Sequence, residues 1–221
     1  MYKKILENEE VRLLIERGDM NLEQLGFTEH SIKHCTKVAK MAEVLLKTLG
    51  YDKKQVELAK IAGFMHDIGN AVNRNGHGEY GGILANQILE KMGMDIRDRY
   101  TIMSAIGNHD EATGGANDVV SAALIIADKT DVRRDRVRER IRNKGKASFD
   151  IHDRVNYAVR KSELIIDADK KVISLNLDID EDICTMYEYF DIFLGRMMMC
   201  RKAAELLGCT FKLLSNGRKI L

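Results

Sequence analysis

Six residues stand out for the chemistry they could do: His34, His66, Asp67, His77, His109 and Asp128. Each lies at or near the end of a stretch whose apolar residues recur three or four apart, the spacing of one helix face. His34 precedes the stripe Val38, Met41, Leu45 and Leu49 by one turn. His66 shares a face with Ala59, Ala62 and Gly63, and His109 shares one with Ile102, Ala105 and Ile106. Asp128 closes the run "SAALIIAD" behind Leu124 and Ile125. A carboxylate in such a place is costly unless it is paired or holds a cation. Neutral imidazole is the commonest metal ligand. Taken singly, such a histidine reads as a satisfied core residue and such an aspartate as a cap. At corresponding places of successive helices, the six together read as a metal centre.

His66 and Asp67 are neighbours in "GFMHDIGN". On a straight helix they would point about 100° apart, so they can meet one ion only where the helix ends. Gly69 is expected to free the backbone there. The other two histidines read differently. His30 fits a solvated helix start, and His152 in "FDIHDRV" fits a surface or cap position.

The elements that must position these groups are mostly helical. Residues 1–18 have an amphipathic pattern, Thr28 is expected to cap the helix that Gly50 stops, and a further helix spans about Lys53–Asp67. "IGNAVNRNGHG" reads as a loop. "HGEYGGILANQILEKMG" reads as a helix with Tyr80, Leu84 and Ile88 inward. After "MDIRDRYTIMSAIGNHD", the stretch from Asn117 to Lys146 reads as one helix or as two with a break near Asp131. The tail changes character. "SELIIDADKKVISLNLDID" is a hairpin pattern, "EDICTMYEYFDIFLGRMMMCRKAAELLG" a long helix, and "CTFKLLSNGRKIL" a second hairpin around Asn-Gly. The expected fold is mainly α: a helical body over residues 1–160, and a small α+β appendage over residues 161–221 packed on it.

The 221 residues include 45% hydrophobic and 31% charged, the balance of an ordinary water-exposed globular chain. The net charge of +1 argues neither for nor against a polyanionic partner. No apolar run spans a bilayer, and the charged N-terminal residues lack a signal-peptide core, so no membrane role and a cytoplasmic location are expected. Cys35, Cys184, Cys200 and Cys209 form no CxxC pair and read as buried free thiols. Met197, Met198 and Met199 read as core filling or a partner surface rather than a soft-metal site.

The order His34, His66-Asp67, Asp128, set in "HCTKVAKMAEVLLKTLGYD", "LAKIAGFMHDIGN" and "LIIADKTD", resembles the HD superfamily of metal-dependent phosphohydrolases. The resemblance covers about residues 28 to 135. It implies a helical bundle around a divalent ion held by His34, His66, Asp67 and Asp128. "HGEYGGILA" and "SAIGNHDE" resemble the added histidine motifs of the two-metal subset. That likeness implies a second ion at His77 and His109, with Asp67 bridging and with Asp67 and His66 as the catalytic pair. Where this chain has Asn70, many relatives have Lys, which places a phosphate or base contact in doubt. A Gly-Tyr-Pro signature is ruled out by the absence of proline.

A donor set rich in imidazole suits iron or manganese, with zinc, cobalt, nickel and magnesium as alternatives, in one or two copies. The expected substrate is a small phosphorylated compound, a nucleotide. Lys129 and Arg74 are candidates to reach its phosphate, with solvated surface charge the alternative for both. From Lys129 to Lys146 the chain holds nine Lys and Arg against three Asp and Glu. With no aromatics interleaved, this segment reads as a solvated face laced with helical ion pairs, and nucleic acid is not an expected partner. A sensor module that binds a nucleotide with little turnover is the competing reading. A sheet edge in the tail leaves room for a homo-oligomer.

Overall fold

The computed structural model describes residues 1–145 and 149–220. Lys146, the last cation of the basic segment, lies outside the described residues. Ten helices are described: α1 (Tyr2–Leu6), α2 (Glu9–Gln24), α3 (Ile32–Thr48), α4 (Lys53–Met65), α5 (His77–Lys91), α6 (Ile96–Gly107), α7 (Val119–Lys129), α8 (Glu139–Lys144), α9 (Ile151–Ala158) and α10 (Met186–Leu206). The strands are β1 (Val159–Asp167), β2 (Val172–Ile179), β3 (Thr210–Ser215) and β4 (Arg218–Lys219). No described helix is long and apolar enough to cross a membrane.

The centre of the molecule is α3, α4 and α7, packed on one another. Helix α7 is buried over almost its whole length, from Val120 to Ala127, because α3, α4, α6 and α10 pack around it. α5 and α6 form an antiparallel pair beside this core. Here the pattern misled in one respect. Ile88 is buried and Leu84 packs against the core as expected, but Tyr80 is 43% exposed, and Gly78, Gly81, Gly82 and Ala85 join Ile88 on the inward face of α5. The three glycines let α5 approach Met103, Ile106 and Gly107 of α6 closely, and the Tyr80 ring is turned to solvent.

Other boundaries also moved. Asn8 caps α2 with its side chain and separates it from α1, so the N-terminal amphipathic stretch is two helices. Ser31, not Thr28, caps α3, accepting from the Lys33 amide at 3.2 Å. The basic segment leaves α7 at Lys129, close to the break expected near Asp131, and continues as a short 3-10 turn at Arg134–Arg136 and then as α8, so it is not a continuous charged face.

Both hairpins form, and they share one sheet of order β1-β2-β3-β4. β1 and β2 pair antiparallel around Ala168–Lys171, with Leu164 opposite Leu175. β2 and β3 are parallel, which requires a long crossover, and α10 supplies it. Asn216 and Gly217 turn β3 into β4, both at positive φ, as an Asn-Gly turn requires. α10 lays Tyr189, Phe193, Met197, Cys200 and Ala203 against α7 and β3. Met197 and Met199 are buried core residues and Met198 is on the surface. One continuous apolar cluster runs from Ile5 to Leu213, through the bundle and the sheet alike. All four cysteines are buried and free.

Helix α9 carries a testable electrostatic feature. Asp153 is 5% exposed, and burial and then the neighbouring Asp150 push its carboxyl up to about 6, with Arg138 opposing. A carboxyl raised in the folded state binds its proton more tightly there than in the unfolded chain. Its contribution is therefore complete below about pH 4, the unfolded value. It is lost as the pH rises through about 6. Asp153→Asn is expected to raise the melting temperature near neutral pH, with the gain shrinking as the solution is acidified. A gain of equal size at all pH values would contradict this.

Candidate metal centre

Helix ends converge on one point. His34 lies in the first turn of α3, His66 caps the C-terminus of α4, and Asp67 begins the tight turn that continues through Ile68–Ala71. His77 opens α5, His109 follows the end of α6, and Asp128 lies in the last turn of α7. The four imidazoles and Asp67 are no more than 4% exposed, and the Asp128 side chain is 12% exposed.

The ring orientations share one rule. Each Nδ1 donates to an oxygen of the protein: His34 to Asp131 Oδ2 at 2.8 Å, His66 to Gly63 O at 2.9 Å, His77 to Arg74 O at 3.1 Å, and His109 to Ile106 O at 2.7 Å. With the proton fixed on Nδ1, the lone pair of the neutral ring is on Nε2. Those Nε2 atoms gather around the carboxylates. His34 Nε2 is 3.6 Å from Asp67 Oδ2 and 3.3 Å from Asp128 Oδ1. His66 Nε2 is 3.1 Å from Asp67 Oδ2 and 3.6 Å from Asp128 Oδ1. On the other side, His77 Nε2 is 4.0 Å from Asp67 Oδ1 and 3.2 Å from His109 Nε2.

The donors thus fall into two groups, His34, His66 and Asp128 in one and Asp67, His77 and His109 in the other, each compact enough for a single ion. Asp67 stands between them, with Oδ2 turned to the first group and Oδ1 to the second. The residues fit divalent metal. His34 Nε2, His66 Nε2 and Asp67 Oδ2 are buried and make no hydrogen bond, an arrangement that needs a positive charge among them. Cys35 also lies near His66 and Asp67, but burial pushes its thiol well up, so it offers no thiolate.

Electrostatics agree with the geometry. Burial opposes the charge of Asp67 and of Asp128, yet His66 holds the Asp67 carboxyl well below the usual range, and Lys129, His34 and His66 do so for Asp128. Burial likewise opposes a proton on His66, but Asp67 and Asp128 raise its pKa to about 10. The carboxylates draw positive charge into the cluster. His77 and His109 are lowered, chiefly by burial, and remain neutral donors.

Several supporting residues were not read from the sequence. Asp131 holds His34, and is itself held by Lys37 at 2.7 Å and Arg133 at 2.7 Å. Its spacing of three from Asp128, one helical turn, was the available signal. Asn70 donates from Nδ2 to Asp67 Oδ1 at 2.9 Å, so it orients the central carboxylate instead of reaching outward as a lysine would. Glu111 bridges Lys129 at 2.7 Å and Arg196 at 2.8 Å.

In front of the cluster is a cavity of about 230 Å³, which Asp67, His77, His109 and Asp128 enter from one side. Arg74, Lys129, Arg136 and Arg196 also line it. Lys129, 8% exposed, pairs with Asp128 at 2.9 Å as well as with Glu111. Arg74 lies over the Phe27 ring with its Nη1 3.3 Å from His77 Nε2. His30, expected at a solvated helix start, is half-buried, whereas His152 is exposed as expected; both border this cavity, from the loop before α3 and from the start of α9. Phe193 and Arg196 reach it from α10.

Comparison with known proteins agrees with this picture. The uncharacterised protein MJ1020 of Methanocaldococcus jannaschii is 24% identical over 202 residues, covering 80% of this chain and 75% of its own. Ribonuclease Y of Latilactobacillus sakei is 33% identical over 111 residues, and that of Enterococcus faecalis 32% over 101. Each of these two covers 44% of this chain, which spans only 19% and 18% of their lengths. A solved HD superfamily hydrolase from an uncultured Thermotogales bacterium is similar at 24% identity and a TM-score of 0.44, over 56% of this chain and 67% of its own. The family model for the HD domain matches residues 31–155, more than half of the chain and the whole of the donor cluster. This chain belongs to the HD-domain superfamily of metal-dependent phosphohydrolases.

Proposed function

We propose that this protein hydrolyses a phosphate ester or anhydride of a small molecule, a nucleotide, at a centre of two divalent ions. The observation that carries the reading is one cavity that is bordered by four members of the six-residue His and Asp cluster, Asp67, His77, His109 and Asp128, and by four Lys and Arg side chains. His34, His66, Asp67 and Asp128 would hold one ion, and Asp67, His77 and His109 the other. Iron or manganese suits this set of imidazoles and carboxylates best. When bound, such ions supply Lewis acidity toward phosphoryl oxygens and a water activated near neutral pH.

The chain's own residues do the rest. The Nδ1 bonds fix every ring before substrate arrives, and Asn70 fixes Asp67, so no reorganisation is needed during the reaction. Lys129 sits against Asp128 and restrains that carboxylate. Arg74 is placed to meet phosphoryl oxygens. Phe27, 38% exposed at the cavity edge, offers a face on which a base can stack.

A partly open cavity of about 230 Å³ suits a compact substrate. RNA is the second reading, favoured by the likeness to Ribonuclease Y. Against it, most arginines of the basic segment are engaged within the chain, such as Arg138 with Asp19 at 2.7 Å and Arg140 with Glu23 at 3.2 Å. A nucleotide sensor with little turnover is disfavoured by the complete donor set, since sensing needs only part of it. The test is a panel of nucleoside mono-, di- and triphosphates, cyclic nucleotides, a generic phosphate monoester, a diester and an RNA oligomer, with manganese and with chelator. Manganese-dependent release of phosphate or nucleotide from the small substrates is expected. Turnover of RNA alone would favour the second reading, and binding without turnover the sensor.

A further inference from the structure

The basic segment after α7 contains one arginine unlike the rest. Arg133 pairs with Asp131 and Asp135, Arg134 with Asp180, Arg138 with Asp19, and Arg140 with Glu23. Arg142 and Lys144 are exposed. Arg136 is 7% exposed and has no carboxylate within ion-pair distance among the described residues. It is held by backbone carbonyls: Nε donates to Glu29 O at 3.0 Å and Nη1 to Asp131 O at 3.1 Å. The Glu29 amide in turn donates to Arg136 O at 2.9 Å, which locks the residue against the loop before α3.

A guanidinium has five N–H donors in a rigid fork, and these two bonds leave Nη2 without a partner among the described residues. Carbonyl dipoles satisfy hydrogen bonds but do not neutralise a charge. A buried cation lacking a counter-charge is expensive, and it persists where something brings the missing anion. Arg136 borders the cavity in front of the donor cluster. Arg74 also borders it and also lacks a carboxylate partner among the described residues, resting on Asn70 Oδ1 at 3.5 Å and on the Phe27 ring. Lys129 and Arg196 differ, because Glu111 and Asp128 already answer their charge. Asp131 attracts Arg136 through space, but its carboxylate is already bonded to His34, Lys37 and Arg133, so two guanidinium groups without an ion-pair partner of their own among the described residues border one cavity.

We propose that Arg136, together with Arg74, forms an anion subsite that grips a phosphate group by its non-bridging oxygens, with Arg136 held by backbone carbonyls and Arg74 by Asn70, His77 and the Phe27 ring. That the phosphate belongs to the substrate rests on the proposed hydrolase reading; the subsite itself does not. Arginine forks suit phosphate because two parallel N–H groups match two oxygens. The Arg136 fork is fixed before the anion arrives, so little ordering is lost on binding.

The test is calorimetric titration of inorganic phosphate into the manganese-loaded protein, with manganese content and melting temperature measured for every variant. Wild type is expected to bind. Arg136→Gln should weaken phosphate about tenfold or more, as loss of a charged hydrogen bond does, with manganese content unchanged. Arg136→Lys should show a smaller loss, and the exposed Arg142→Gln none. If Arg136→Gln fails to fold, Arg136→Lys decides: weaker binding at an unchanged melting temperature upholds the subsite. Wild-type affinity in both Arg136 variants overturns it, as does the absence of phosphate binding by wild type. Loss of manganese along with phosphate also overturns it, since Arg136 would then serve only to hold Asp131 and His34. The two readings fail separately. Arg136-dependent phosphate binding in a protein that turns over no ester sinks the hydrolase and keeps the subsite. Ester turnover with Arg136-independent phosphate binding does the reverse.

Discussion

Asp67→Asn is expected to leave the fold intact and remove both metal binding and hydrolysis. Asp67 is the one residue whose two oxygens face the two donor groups, with Oδ2 toward His34 and His66 and Oδ1 toward His77. An amide of the same shape can still accept the Asn70 bond on its oxygen, which turns its NH2 toward the first group. A donor carrying partial positive charge then stands where the proposed cation would sit, and the negative charge that two such ions would share is gone. Loss of a residue that merely hydrogen-bonds to a metal ligand costs roughly 10–100-fold in affinity, so loss of this ligand itself should exceed about 100-fold. Metal content by elemental analysis should fall toward zero, and turnover should fall at least as far. A second readout needs no substrate. Ligand at about 100 times its Kd stabilises a protein by about 2.7 kcal/mol. For a chain of this size that is a rise of roughly 5–11 °C in melting temperature. Wild type should show such a rise with manganese and Asp67→Asn should not. A variant that keeps both the ions and the rise would remove the basis for the proposed centre.

The donor set was legible because its members break a pattern. A histidine or aspartate at the end of an apolar stripe is visible in one dimension, and the stripe tells which way it faces. The expectation that the His66-Asp67 pair sits where a helix stops also matches the backbone, since α4 ends at Met65 and His66 is its cap. What holds the donors in place was not legible. His34 is fixed by Asp131, 97 residues away, and no periodicity links the two. The cavity wall from α10 depends on a β-α-β crossover that brings Phe193 and Arg196 back over the bundle. The basic segment shows the same limit. Its alternating charges suggested ion pairs along a helix; Arg133 does pair locally with Asp131 and Asp135, whereas Arg138 and Arg140 reach Asp19 and Glu23 of α2 across the chain. Arg136 is distinguished from its neighbours only by what it fails to pair with, a property that no sequence displays.

Gly69→Ala is expected to be the most damaging single-methyl change near the site. The sequence suggested that Gly69 frees the backbone, but it is not among the residues at positive φ, so an L side chain suffers no backbone strain there. The constraint is space. A Cβ on Gly69 would overlap the carbonyl oxygen of His77 and lie 2.5 Å from the Gly81 nitrogen. Both obstacles are backbone of α5, and neither can rotate away as a side chain could. The first turns of α5 must retreat, and they carry His77 with them. Overpacking a close contact costs about 1–3 kcal/mol, and rigid backbone on both sides puts this case at the upper end. A loss of about 3 kcal/mol lowers the melting temperature by roughly 6–12 °C. The displacement acts on one donor group and spares the other, because His34, His66 and Asp128 come from α3, α4 and α7. Metal content should therefore drop from two ions toward one, with the ion at His77 and His109 lost first. The glycine of "HDIG" would then be the residue that brings the second histidine pair within reach of Asp67. A variant with wild-type melting and a full complement of metal would show that α5 has room to spare and would refute this account.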